Sequence, residues 1–89
     1  MTVPSIVAYR LMIKMCHARR FVDLGHAKVA QDLPMKEMQK FVPHITPEVL
    51  RLIAAHWPQF WSDFVEGGLF EVAARWSLRL GVTRDPEVN

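Results

Sequence analysis

The chain has 89 residues, 51% hydrophobic and 22% charged, the balance of one small folded domain and not of a disordered segment. A single cysteine excludes an internal disulfide, and residues 1–16 lack the basic start, unbroken apolar stretch and cleavage site of a secretory signal. The longest stretch free of Asp, Glu, Lys and Arg runs only from Leu52 to Ser62, too short to span a membrane, so a cytoplasmic protein is expected.

Thr2 and Pro4 read as a helix start, because proline in the first turn has no N–H to leave unpaired. The first helix is expected over residues 5–24, with Gly25 just past its end, where a left-handed backbone is common. Val7, Leu11, Met15, Ala18 and Val22 make one apolar stripe. Ile6, Ile13, Phe21 and Leu24 make a second, broken one, and Arg10, Lys14 and His17 form a basic ridge. A helix apolar on more than one side must be covered on more than one side, so it either lies at the centre of the fold or offers an interface. One or two short helices are expected between 26 and 42, the first over HAKVAQDL and the second capped by Asp32 and ended by Pro43.

Ile45-Thr46-Pro47-Glu48 is the strongest boundary in the chain. Thr46 suits the N-cap, Pro47 the first helical position and Glu48 the positive helix end, and Ile45 and Leu50 are spaced for a hydrophobic staple. From here the phase of Val49, Leu50, Ile53, Ala54, Trp57, Phe60, Trp61, Phe64 and Val65 runs unbroken, predicting a very aromatic amphipathic helix over 47–66. Trp57 and Trp61 are expected in the core. Pro58, on the polar side, is expected to kink the helix. Gly67-Gly68 breaks it. A last helix follows over 69–80, with Leu69, Phe70, Val72, Ala73, Trp76 and Leu80 inward, Glu71, Arg75 and Arg79 outward, Gly81 as its stop, and a frayed tail at 82–89. The expected fold is therefore all-α: a single domain over 1–89, a small bundle of three main helices.

No constellation carries recognisable chemistry. Cys16 and His17 point about 100° apart on a helix, and His26, His44 and His56 have no ligand-spaced partner. Asp63, Glu66 and Glu71 are acidic without the spacing of a calcium loop. Cys16 reads as a buried thiol among Met12, Ile13 and Met15. Val29, Ala30, Leu33 and Met35 resemble part of a helix-turn-helix, but Met38 and Phe41 fall out of step and Pro43 leaves the second helix too short. No catalytic, metal or cofactor residue is assigned.

Charge is uneven: residues 1–45 hold seven basic against three acidic side chains, and residues 46–89 four against six. That asymmetry, with more apolar helix surface than 89 residues readily bury, leads to a small non-enzymatic protein that binds another protein, as a regulator, adaptor or inhibitor, and forms a homodimer. Its size would suit a phage or mobile-element product. Ile6, Ile13, Phe21, Phe70, Trp76 and Leu78 are the interface candidates. The alternative is a nucleic-acid-binding regulator using Arg10, Lys14, Arg19 and Arg20 on the first helix.

Overall fold

A computed structural model describes residues 3–23, 39–40 and 42–82, with side chains from Pro4 to Arg20 in the first of these stretches. The described residues are all-α: helix α1 (Val3–Asp23), a 3-10 turn (Val42–His44) and a long element α2 (Pro47–Arg79) that turns back on itself. The short helices expected between 26 and 42, the partial helix-turn-helix pattern with them, and residues 83–89 lie outside the described residues.

The start of α2 forms as its sequence dictates. Thr46 has an extended backbone, its Oγ1 accepts the Val49 N–H at 3.3 Å, and Pro47 opens the helix. The apolar anchor at this end differs from the expected staple. Leu50 is exposed, and Ile45 instead packs on a cluster of Val7, Ala8, Leu11 and Val49.

The break in α2 is at Gly68, whose φ of 85° and ψ of 180° are non-helical. Pro58 was the expected kink, but it keeps helical dihedrals; Pro58 and Ala54 are both exposed, so the Ala54 carbonyl that loses its N–H partner lies on the solvent side. In a straight helix His56 and Trp76 would lie about 30 Å apart. Their rings meet at 5.5 Å, so the chain reverses at Gly68 into an outgoing arm, 47–67, and a return arm, 69–79. The dihedrals of Gly68 fall in a region open almost only to glycine. Gly68→Ala is therefore expected to cost about 1–3 kcal/mol in chemical denaturation. Nothing lies within 4 Å of the added methyl, so that cost is backbone strain and not a clash. An unchanged denaturation midpoint would show that the reversal does not depend on this residue.

The return arm ends at Gly81, at φ 71°. The Val82 N–H donates to the Ser77 carbonyl at 2.7 Å and the Gly81 N–H to that of Leu78 at 3.2 Å, the paired bonds of a Schellman stop. Val82 was expected to open a frayed tail; it is 1% exposed and belongs to the core.

The core explains why α1 is apolar on two sides. Tyr9, Met12 and Cys16 pack with Phe60, Phe64, Val72, Trp76 and Val82, while Val7, Ala8 and Leu11 pack with Val49, flanked by Ile45, Leu52 and Ile53. Thus α1 lies against both arms. The expected stripe holds at Val7 and Leu11, but further along the helix burial moves to Met12 and Cys16, leaving Met15 and Ala18 half-buried. Tyr9 fastens α1 to the return arm by donating its hydroxyl to the Ala73 carbonyl at 3.0 Å.

Candidate protein-interaction surface

Asp63 fixes the return arm on the outgoing arm. The helical wheel puts it on the polar side, yet it is 4% exposed, because the return arm packs over that flank. Its Oδ1 accepts Gln59 Nε2 at 2.9 Å and faces Arg75 at 3.3 Å. Its Oδ2 accepts Trp76 Nε1 at 2.9 Å, with Arg79 at 3.8 Å. The Gln59 hydrogen bond, then the Trp76 hydrogen bond and the Arg75 charge, hold this carboxyl below the usual carboxylate range against the opposing effect of burial.

Trp76, an interface candidate from sequence, is a core residue. It is 2% exposed, its indole N–H is bound by Asp63, Phe60 and His56 touch its ring, and the Arg79 guanidinium lies 4.9 Å from the ring centre. Ile6 and Ile13 are half-buried and pack on the Tyr9–Phe60 cluster. The Phe21 side chain lies outside the described residues.

Two candidates stand open. Phe70, expected inward, is 91% exposed, and Leu78 is 80% exposed. Phe70 lies on the far side of the return arm from the buried Val72 and Trp76. With exposed Ala74 between them at i, i+4 and i+8, Phe70 and Leu78 form an apolar strip along the outer face of the return arm. Beside it runs a charged row of Glu71, Arg75 and Arg79, in which Arg75 donates to Glu71 at 2.9 Å. A phenylalanine and a leucine this exposed contribute nothing to the core.

Arg19 and Arg20 of α1 are exposed and lie along aromatic rings. Arg19 lies 5.4 Å from the centre of the Trp61 ring and Arg20 5.9 Å from that of Phe64, so their guanidinium faces cover the aromatic run. Trp61 and Trp57 are half-buried and stacked, whereas Phe60 holds the core position. Arg10 and Lys14 are half-buried. His17 is held below its ordinary value by burial first and by Lys14 second, and burial pushes the Cys16 thiol up to about 12. A thiol so shielded is a poor nucleophile.

Among the described residues no three His, Cys, Asp or Glu side chains gather to hold a metal ion, and no helix is long and apolar enough to cross a membrane. No family model, curated protein or solved structure matches the chain.

Proposed function

We propose that this is a small non-enzymatic protein that works by binding another protein, as a regulator, adaptor or inhibitor, through the outer face of the return arm. The observation that carries this reading is the exposure of Phe70 and Leu78 in one line on a helix whose opposite face is already buried. Aromatic side chains, Phe among them, are enriched at protein interfaces, where a few well-buried anchors carry most of the binding energy. The nucleic-acid alternative is less favoured, because two of its four basic residues, Arg19 and Arg20, lie over aromatic rings of the protein's own core edge.

The test is affinity purification from the native host with the wild-type protein and with a Phe70→Asp, Leu78→Asp variant, after circular dichroism has shown equal helix content. The expected result is a partner recovered with the wild type and lost with the variant. Recovery of the same proteins with both would sink the reading.

A further inference from the structure

We propose that the return arm binds a second copy of this chain, antiparallel, about a two-fold axis at Ala74. This rests on the reading of that arm as a contact surface and names its occupant. At about 100° per residue, Phe70, Ala74 and Leu78 follow one another at about 40° steps, and Glu71, Arg75 and Arg79 continue the same steps on one flank. The order of residues is what makes the face fit itself. Ala74 stands midway between the two large apolar side chains, and a small residue at the crossing lets two helices approach closely.

With the axis at Ala74, the antiparallel copy sets Phe70 directly against the partner's Leu78, and Leu78 against the partner's Phe70. The charged rows fall on the same side of the pair. At about 1.5 Å rise per residue, Glu71 then sits about 3 Å along the axis from both the partner's Arg75 and the partner's Arg79. Arg75, the nearer of the two to the contact, faces the partner's Glu71, while Arg79 turns back over the Trp76 ring of its own copy. The parallel arrangement would set Phe70 beside the partner's Phe70 and put the two charged rows on opposite sides of the contact, where glutamate and arginine do not meet. The isologous, antiparallel pairing is thus the one that both the apolar and the charged order satisfy. The strip itself is small, so the pair belongs with weak interfaces, below about 1,200 Å² in total, and forms at micromolar concentrations or higher.

Sedimentation equilibrium of the whole chain up to high-micromolar concentration tests this. The expected result is a reversible dimer whose Kd rises at least about thirtyfold in the Phe70→Asp, Leu78→Asp variant, the loss of one hot-spot contact at the least. An Ala74→Cys variant should form a disulfide dimer rapidly under mild oxidation. Glu71→Cys should not, because two copies of position 71 lie about 9 Å apart along the antiparallel axis. Cys16 is wholly buried and does not compete. A wild type that stays monomeric, a dimer indifferent to Phe70 and Leu78, or equal cross-linking at 71 and 74 would each overturn the proposal. A monomer that still loses a captured host protein on Phe70 and Leu78 substitution removes the second copy and keeps the functional reading. Loss of neither dimer nor partner on substitution removes both.

Discussion

Phe60→Ala is expected to destabilise the domain by about 3–5 kcal/mol, measured by urea denaturation monitored through tryptophan fluorescence and circular dichroism. Phe60 is 0% exposed, the largest such burial in the outgoing arm. Its ring meets Trp57 at 6.4 Å and Trp76 at 5.3 Å, so it stands between the two arms and beneath α1. Truncation removes both the transfer free energy of the ring and the contacts of the cavity lining, and half-rigid neighbours such as Trp57 cannot fill the space fully. At roughly 0.05–0.15 kcal/mol per residue, 89 residues hold about 4–13 kcal/mol in all, so this loss is a large share of the total. The comparison that gives the experiment its meaning is Phe70→Ala, the same chemical change on the outer face. Phe70 is 91% exposed, so its removal should alter stability by no more than about 0.5 kcal/mol. Equal losses at the two positions would mean that Phe70 is buried in solution. A small loss at Phe60 would mean that the return arm does not pack where it is described.

Where the sequence could be read, local backbone chemistry carried the information. Thr46-Pro47 starts α2, Gly68 breaks it and Gly81 stops it, because each requirement is met within a few residues of chain. What the periodicity could not provide was the direction from which a second helix approaches. The wheel centred the buried face of 47–66 on its most apolar side, yet Leu50 and Val65 at the edges of that face are exposed and Asp63 beyond it is buried. The return arm lies over the Asp63 flank, and only a reversal at Gly68 as tight as the one seen could bring it there. The same ambiguity put Phe70 inward: on the return arm it falls beside the half-buried Ala73 and Ser77, and the apolar residues alone do not fix where the buried arc stops. Tyr9 was overlooked, since a lone tyrosine on a helix gives no periodic signal until its hydroxyl finds the Ala73 carbonyl, 64 residues away. One signal for Asp63 was present. A tryptophan that is to be buried needs an acceptor for its N–H, and an aspartate within an aromatic run just before Gly67-Gly68 is a natural source of one. The exposed strip, by contrast, was half legible: Leu78 stood apart from every apolar stripe, and its exposure follows from that isolation.

Asp63→Asn should destabilise the domain by about 1.5–3 kcal/mol at neutral pH, because it removes the charge from a carboxylate whose two oxygens both accept hydrogen bonds. An amide of the same shape has one acceptor oxygen, so either Gln59 or Trp76 is left facing an N–H group. Magnitudes decide which contact matters. Arg75 and Arg79 have side chains 41% and 52% exposed, and ion pairs so well solvated are worth less than about 1 kcal/mol each. Gln59 is exposed and can turn to water. The buried, charge-assisted bond from Trp76 Nε1 therefore accounts for most of the loss, and in a Trp76→Phe background the cost of Asp63→Asn should shrink by at least half. The pH dependence follows in sign. The folded carboxyl titrates below its ordinary value, so its contribution is fully present above about pH 4, where the unfolded aspartate is already ionised, and is lost as pH falls through the lower folded value. His17, also held low, acts at higher pH: its contribution is complete above about pH 6.5 and declines below that in wild type and variant alike. The difference in unfolding free energy between wild type and Asp63→Asn should then stay flat from about pH 5 to pH 7 and narrow below about pH 4. A difference that is constant down to pH 2 would assign the loss to shape and packing rather than to the charge that binds the two arms together.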